Sequence, residues 1–210
     1  PSLHTLVKAG YVVAGVVTQP DKPSGRGMAT RPSPVKEAAL GYGIGVLEPR
    51  SVRTPEFTEA IKALSPEIIV VIAYGKILPK DILCIPPKGC INVHASLLPM
   101  YRGAAPINRA IINGEKTTGV CTMLMDEGMD TGDVLLRAET PILDHETTED
   151  LAKRLSIAGA ELIVKTLELA LSGSLTPEQQ DNSKASFAPI LKKEDGRIDW
   201  NRDAAGVYNL

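Results

Sequence analysis

The sequence predicts an α/β domain with a mainly parallel, Rossmann-like sheet and helices on both of its faces. Two continuous apolar runs, at residues 12–18 and 67–74, are typical of strands buried on both faces of a parallel sheet. Segments with helical periodicity separate these runs from each other and from later strands. Because strands that alternate with helices form βαβ units, this order indicates the α/β class.

The first half of the chain alternates helices with short strands. Residues 1–10 are predicted to form the end of a helix. Ser33 and Pro34 start a second helix, the serine as cap and the proline in the first turn. Residues 54–57 start a third helix in the same way, and residues 44–47 form a short strand between the two.

The second half of the chain contains the remaining strands and the longest helix. The predicted elements are a strand ending at His94, a helix over 104–113, strands over 118–125 and 134–142, and a helix over 147–171. Thr147 and Asp150 are spaced as in a capping box. From residue 174 the chain is polar, which indicates an extended linker and the one candidate domain boundary.

Composition and charge exclude several classes of protein. The 210 residues suit one domain, 43% of them are apolar, and a net charge of −2 gives no overall signature of a nucleic-acid binder. The three cysteines form no Cys-x-x-Cys pair, so neither a disulfide framework nor a zinc site is indicated. No apolar run approaches the ~20 residues that a bilayer span needs. We therefore expect a cytoplasmic protein without a membrane partner.

Asn92 and His94 are the first candidate site residues. Side chains two apart on a strand project from one face, here near the carboxyl end, where open parallel sheets bind ligands. Two such polar residues by themselves are more often structural, hydrogen-bonded beneath a loop, than part of a functional site. The residues that follow, a serine, two leucines, a proline and Tyr-Arg-Gly, indicate a specifically shaped loop.

Three loops are expected to converge beside these two side chains. They cover residues 75–79, 96–103 and 126–133, and each follows the carboxyl end of a predicted strand. The third loop is acidic and would bring Asp130 to the site. No second histidine or clustered carboxylate completes a set of metal ligands, so no metal is expected.

An Asn, a His and an Asp without an activated nucleophile suit the direct transfer of an acyl group. Asn92 would donate to the developing oxyanion, a contribution of roughly two to three orders of magnitude in rate. His94 would handle protons or add positive charge, while Asp130 would orient His94 and accept the proton of an attacking amine. Ser96 is a possible nucleophile but lacks the glycine elbow of a hydrolase.

Residues 19–34 form a long loop rich in proline. Over residues 20–36, four basic side chains against one acidic side chain give a local charge of +3. These side chains are Lys22, Arg26, Arg31 and Lys36, against Asp21. The Gly-Arg-Gly at its centre lacks the Gly-Lys-Ser/Thr ending of a Walker loop. By composition alone, this segment is as compatible with a solvated linker as with a loop that binds an anion.

Three segments resemble the folate-dependent formyltransferases. Residues 92–103 read NVHASLLPMYRG and, with the Asp-Thr-Gly at 130–132, resemble the signature of this family. Residues 18–27 (TQPDKPSGRG) and 32–36 (PSPVK) resemble the loop that one branch of the family inserts into the acceptor stem of initiator tRNA. Residues 188–200 resemble the entry of that branch into its C-terminal domain.

The resemblance implies roles for individual residues. It implies that Asn92, His94 and Asp130 are catalytic and that 10-formyltetrahydrofolate is the formyl donor. The residues that it places at the folate site are Ser96, Leu97, Leu98, Pro99, Lys76, Ile77, Leu78, Met125 and Gly128. The residues that it places against initiator methionyl-tRNA are Lys22, Arg26 and Arg31.

The resemblance also implies the organisation of the protein. We expect a monomeric, metal-free enzyme in the cytoplasm or in an organelle of bacterial type. Met28 and Ala29 stand where the family usually has further basic residues, which is expected to weaken phosphate contacts. Residues 1–173 would be the catalytic domain, and residues 174–210 a linker and the start of a C-terminal domain.

We further expect a fragment, because the first strand of the family and most of its C-terminal domain have no counterpart here. In this fold the first strand lies between the strands at 12–18 and 67–74. Those two strands should then not pair directly with each other.

Two other functions are compatible with parts of the sequence. One is formyl transfer to a small amine, such as an amino-sugar nucleotide or a purine precursor. The same three catalytic residues would serve it, so only the loop at 19–34 discriminates, and it favours tRNA. The other is a nucleic-acid-binding module without catalysis, against which the intact Asn, His and Asp argue.

Overall fold

The computed structural model describes residues 1–24 and 29–210, and helices alternate with strands along them. The helices are α1 (Ser2–Lys8), α2 (Pro34–Gly41), α3 (Pro55–Ala63), α4 (Lys80–Leu83), α5 (Pro106–Ile112), α6 (Thr148–Ser172) and α7 (Ala204–Tyr208). The strands are β1 (Val16–Val17), β2 (Lys22–Ser24), β3 (Ala29–Arg31), β4 (Val46–Leu47), β5 (Ile69–Ile72), β6 (Cys90–His94), β7 (Thr117–Leu124) and β8 (Val134–Pro141). Short 3-10 helices lie at Asn182–Lys184 and Lys193–Gly196. The predicted α/β fold class is confirmed.

The largest sheet has the order β5-β6-β7-β8. β5 and β6 are parallel, with Val71 opposite Asn92. β7 runs antiparallel to β6, with Cys121 opposite His94, and β8 runs antiparallel to β7. A parallel pair at one side is therefore extended by two longer antiparallel strands.

β1 is shorter than the sequence predicts. Only Val16 and Val17 pair, in parallel with β4, and the side chain of Val12 is 96% exposed. The expectation of a continuous buried strand over 12–18 is therefore wrong for its first residues, because a strand needs neighbouring strands to complete its hydrogen bonds. Within the described residues no ladder joins β1 to β5, which confirms the predicted absence of direct pairing.

The helix starts follow local sequence signals. The Ser33 hydroxyl accepts from the N–H of Lys36, and the Thr54 hydroxyl accepts from the N–H of Phe57, both at 3.3 Å. Thr147 and Asp150 form the predicted capping box of α6. Each such cap satisfies a free N–H group and contributes ~1 kcal/mol.

Two apolar clusters hold the sheet between helices. On one side, Leu6 of α1 and Ile163 and Leu167 of α6 pack with Ile91 of β6 and Leu135 of β8. A second cluster contains Val52, Phe57, Ile61, Leu78 and Ile82. α6 comes so close to the sheet that a Cβ on Gly159 would lie 3.0 Å from Cγ1 of Val93. This packing fixes β6, which carries Asn92 and His94.

None of the helices in the described ranges is long and apolar enough to span a membrane.

Candidate active site

His94 is buried at the end of β6, and both of its ring nitrogens face polar atoms. Nε2 lies 2.9 Å from the carbonyl oxygen of Tyr101, and Nδ1 lies 3.7 Å from Oδ2 of Asp130. Because a carbonyl oxygen can only accept, Nε2 must carry a hydrogen. In the neutral ring Nδ1 then has a lone pair, so its attraction to the carboxylate requires a proton or a bridging donor between them. Nε2 is therefore the nitrogen bonded to Tyr101, and Nδ1 is the nitrogen that faces the carboxylate of Asp130.

Asp130 is held by one backbone N–H group and one side-chain amide. Its Oδ2 accepts from the N–H of Gly103 at 2.8 Å. Its own carbonyl oxygen accepts from Nε2 of Gln180 at 2.9 Å. Asp130 has a φ of +55°, a left-handed conformation that aspartate tolerates better than most residues. The carboxylate and the backbone carbonyl of Asp130 are thus each held by one hydrogen bond.

Asn92 stands on the same face of β6 as His94 and is half-buried. Its neighbours across the sheet are Val71 and Met123. The side-chain amide makes no hydrogen bond to any residue in the described part of the chain. Its N–H groups are therefore available to a ligand, as the sequence predicts for an oxyanion donor.

Asp130 reaches His94 by a route that the sequence does not predict. β7 is antiparallel to β6, so its last residue, Leu124, lies opposite Ile91 near the start of β6. The loop at 126–133 therefore leaves the sheet at the other end from the loop after His94. The loop nevertheless folds back along the sheet and brings Asp130 to His94, so the predicted convergence is confirmed for Asp130.

The loop after His94 turns two of its predicted folate residues inward. The hydroxyl of Ser96 donates to the carbonyl of Met100 at 2.6 Å and is buried. Leu98 is also buried, beside Cys121 and Met123, and precedes the cis proline Pro99. Leu97 packs so closely over β7 that a Cβ on Gly119 would lie 2.6 Å from its Cδ2. The side chains of Ser96 and Leu98 therefore shape the loop, whose carbonyl oxygens at Leu97 and Pro99 accept from the N–H groups of Met100 and Ser186.

The loop after β5 has one exposed apolar residue between two fixed ones. Lys76 donates from Nζ to the carbonyl oxygens of Pro49 and Arg50, each at 3.0 Å. Leu78 is buried in the second cluster, whereas Ile77 is 64% exposed. Of these three predicted folate residues, Ile77 is the one whose side chain is free for contact.

The third loop carries the remaining predicted folate residues. Met125 is half-buried between the apolar clusters. The N–H of Gly128 donates to Oδ1 of Asp126 at 3.0 Å, and Thr131 donates to the same carboxylate. Asp126 thus stabilises the loop through hydrogen bonds within it.

No group of three or more His, Cys, Asp or Glu side chains in the described ranges is arranged around a metal position.

Sequence reasoning missed two exposed methionines. Met100 is 43% exposed and Met129 is 53% exposed, and each lies on a loop that meets at His94. Together with Ile77 they give every one of the three loops an exposed apolar side chain. The sequence does show these apolar residues in loops. Exposed apolar side chains that lie close together often mark a binding site, so they could have been predicted to contact a ligand.

Sequence reasoning also missed the tail segment, defined here as residues 178–188. Glu178 exchanges two backbone hydrogen bonds with Val134, both at 2.8 Å. The Ser186 hydroxyl accepts from the N–H of Tyr101 at 2.9 Å, and the N–H of Ala188 donates to the carbonyl of Arg102 at 2.7 Å. The predicted extended linker therefore crosses both loops that meet at His94 and Asp130.

The basic loop is more ordered than predicted. Its arms, β2 and β3, form an antiparallel ladder, so the expectation of an irregular loop is wrong for the arms. Lys22 lies on β2, and Arg31 is exposed on β3. Gly25, Arg26, Gly27 and Met28 lie outside the described residues.

One of the four basic residues of this loop is neutralised internally. Nζ of Lys36 donates to Asp21 at 2.7 Å and to Glu48 at 2.8 Å. These hydrogen bonds raise the pKa of Lys36 above its ordinary value. Lys36 therefore fastens the base of the hairpin to β4 and does not add to its free positive charge.

Comparison with known proteins gives consistent results. A family model described as "Formyl transferase" matches residues 4–167. A methionyl-tRNA formyltransferase from Citrifermentans bemidjiense is 57% identical over 209 residues, which cover 100% of this chain and 66% of that protein. One from Caldanaerobacter subterraneus is 56% identical and is covered to 68%. The chain thus spans about two thirds of the length of these curated relatives.

Solved structures of more distant proteins share the fold. An N-formyltransferase from Helicobacter canadensis, in complex with folinic acid and dTDP-3-aminofucose, has a TM-score of 0.74 at 21% identity. That comparison covers 99% of this chain and 73% of the other. A glycinamide ribonucleotide transformylase from Symbiobacterium toebii has a TM-score of 0.62 at 23% identity, over 69% of this chain and 74% of the other.

Proposed function

This chain belongs to the formyl transferase family, and we propose that it transfers the formyl group of 10-formyltetrahydrofolate to the amino group of methionyl initiator tRNA. The observation that carries this proposal is the buried His94 beside the half-buried Asp130, with the free amide of Asn92 on the same face of β6 as His94. This combination suits a step that moves a proton while an oxyanion forms.

The reaction begins when the amine nitrogen attacks the formyl carbon. A carbon–nitrogen bond forms, and the electron pair of the carbonyl moves to oxygen, where the Asn92 amide donates to the oxyanion. A proton on Nδ1 of His94 adds positive charge beside that oxygen. Asp130 takes the proton that the amine loses.

The intermediate collapses when the bond between the formyl carbon and the folate nitrogen breaks. The oxygen returns its electron pair to re-form the carbonyl, and the folate nitrogen leaves with a proton. The folate nitrogen takes this proton from Asp130, which received it from the amine, while Nε2 of His94 stays bonded to Tyr101. The balance requires no metal and no external oxidant or reductant.

The folate would lie against the three loops. Ile77, Met100 and Met129 offer exposed apolar side chains to a flat ring system. The side chains of Ser96 and Leu98 point inward and shape the loop beside this surface. Gly128 and Met125 would line the opposite side.

Initiator tRNA is the acceptor that the relatives and the hairpin favour. The two relatives described above carry methionyl-tRNA in their names. Lys22, Arg26 and Arg31 would contact phosphates, with the hairpin held at its base by Lys36. Transfer to a small amine is the second candidate, but the distant structures that act on sugars share only the fold at 21% identity.

We assign residues 1–173 to the catalytic domain and residues 174–210 to a linker that leads into a further domain. We also assign the enzyme to the cytoplasm or an organelle of bacterial type, acting as a monomer. Gel filtration with light scattering tests the oligomeric state.

A direct assay tests the function. The protein as its gene encodes it is given 10-formyltetrahydrofolate with charged initiator tRNA, charged elongator tRNA or small amines. We expect kcat/KM for initiator methionyl-tRNA to exceed that for any small amine by at least about a thousandfold, a ratio that hydrogen-bonded recognition can supply. If an amino-sugar nucleotide or a ribonucleotide amine is formylated with a higher kcat/KM than initiator methionyl-tRNA, that small amine is the acceptor and tRNA is not.

A further inference from the structure

The carboxamide of Gln180 connects the two loops that hold the catalytic pair. Its Oε1 accepts from Nε and Nη2 of Arg102, at 3.1 and 2.7 Å. Its Nε2 donates to the carbonyl oxygens of Asp130 and Gly132, at 2.9 and 2.7 Å. The side chain is 5% exposed, and both N–H groups and the oxygen are used. Gln180 is therefore a buried, fully bonded bridge.

The bridge lies between two contacts of the site. Arg102 follows Tyr101, whose carbonyl accepts from His94, and precedes Gly103, whose N–H donates to Asp130. A shift of Arg102 or of the Asp130 backbone would therefore change the position of the carboxylate relative to the imidazole. Catalysis depends steeply on such positions, since a displacement of ~1 Å can cost about a hundredfold in rate.

Arg102 has few other ways to satisfy its charge. It is 4% exposed, and no carboxylate in the described residues lies within ion-pair distance of it. Besides Gln180, its guanidinium donates from Nη2 to Oδ1 of Asn182 at 2.8 Å. A buried charge that depends on neutral amides holds them firmly, because losing them would leave it without partners. Arg102 thus anchors the oxygen of Gln180, and the nitrogen of Gln180 anchors the loop of Asp130.

We propose that Gln180 is a positioning residue, which acts from outside the matched residues 4–167 to set the separation between Asp130 and His94. The inference rests on the proposed function, because it concerns the same catalytic pair. It assigns to the tail segment a part in the reaction, in addition to its packing.

The test is Gln180→Glu in the protein as its gene encodes it. Glutamate keeps the length of the side chain and an acceptor for Arg102, but it cannot donate to the two carbonyl oxygens. We expect kcat to fall about tenfold or more, while KM for folate and for tRNA stays within about threefold. Gln179→Glu is the matched control, because Gln179 is exposed and its replacement makes the same change in charge.

A second measurement distinguishes positioning from simple support of the fold. The ring signals of His94 in an NMR spectrum, identified by their loss in His94→Ala, should shift in Gln180→Glu and stay in place in Gln179→Glu. If Gln180→Glu unfolds, Gln180→Met, which keeps length and volume without hydrogen bonds or charge, is tested in the same way. The proposal is overturned if the folded variant keeps kcat within about twofold and the His94 signals do not move.

Asp130→Asn in the same assay separates this inference from the proposed function. If Asp130→Asn is inactive while Gln180→Glu has wild-type turnover, the positioning role fails and the catalytic assignment stands. If Asp130→Asn also has wild-type turnover, the catalytic assignment itself fails.

Discussion

The N–H of Gly103 donates to Oδ2 of Asp130 at 2.8 Å, and the same oxygen faces Nδ1 of His94 at 3.7 Å. One carboxylate oxygen thus connects the end of β6 with the loop that follows it. Gly103 has a φ of +118°, and a Cβ there would lie 2.9 Å from the carbonyl oxygen of Ala188. Only glycine lets these three backbone segments approach so closely.

Gly103→Ala should therefore impair both stability and catalysis. The left-handed backbone and the contact with Ala188 cost about 1–3 kcal/mol, and the N–H would move away from Asp130. Chemical unfolding measures the stability, and a formylation assay measures kcat. The control is Gly41→Ala, at the end of α2, where a Cβ meets nothing within 4 Å. That variant should be neutral or more stable by about 0.5–1 kcal/mol.

His94→Ala and Asp130→Asn should each lower turnover by about two to four orders of magnitude. The folate should still bind, because neither side chain supplies the exposed apolar surface of Ile77, Met100 and Met129. Single-turnover formylation and calorimetric titration with a folate measure the two effects. Turnover near the wild-type value in both variants would remove these residues from the mechanism.

Arg26→Ala and Arg31→Ala should weaken the use of tRNA and leave folate binding unchanged. Each phosphate contact that is lost should raise KM for tRNA or lower turnover, and it should reduce the dependence of kcat/KM on salt concentration. Lys153→Ala is the control, since Lys153 is an exposed cation on α6 that pairs with Glu149. If all three variants change the kinetics with tRNA equally, the cause is a general attraction between charges. If the two arginine variants leave these kinetics unchanged, the hairpin makes no tRNA contact.

Glu146 should make stability depend on pH in the acid range. Its carboxylate accepts from Nε and Nη2 of Arg154 at 2.6 and 2.8 Å, and these bonds lower its pKa from the ordinary value of 4.5. The unfolded chain therefore takes up a proton at a higher pH than the folded chain does. The stabilisation is complete above pH 4.5 and is lost as the pH falls through the lowered pKa.

The variant Glu146→Gln tests this linkage. Its melting temperature should be lower than that of the wild type at pH 7, and the difference should shrink as the pH falls from about 5 to about 3. Glu149→Gln is the control, because the exposed pair with Lys153 contributes little. A constant difference across this pH range would exclude the ionised pair as the cause.

The three cysteines of this sequence should differ in reactivity. Burial raises the pKa of Cys90 to about 12 and that of Cys121 to about 11, so both stay protonated and enclosed at neutral pH. Cys84 is exposed. A maleimide at pH 7 should label Cys84 rapidly in the native protein, whereas the other two thiols should react only after unfolding. Peptide mapping by mass spectrometry measures this, and rapid labelling of Cys121 would show that the sheet beneath the loops opens.

Short-range signals explain what could be predicted about the helices and the first part of the site. Ser33 with Lys36, Thr54 with Phe57 and Thr147 with Asp150 are each three residues apart, so the chain nearby decides these contacts. The alternation that places Asn92 and His94 on one face is a property of any strand. Such features follow from local backbone geometry and can be deduced from the residues alone.

The sequence by itself determined the α/β class, the helix starts and the identity of the chemical groups. Only the tertiary structure decided that β7 runs antiparallel to β6, that Lys36 pairs with Glu48, and that the tail segment crosses the site. Gln180 and Asp130 are 50 residues apart in the chain, and no local pattern links them. Their contact depends on the packing of whole elements, because long-range pairing is set by the burial of apolar faces and by the need to satisfy buried polar groups.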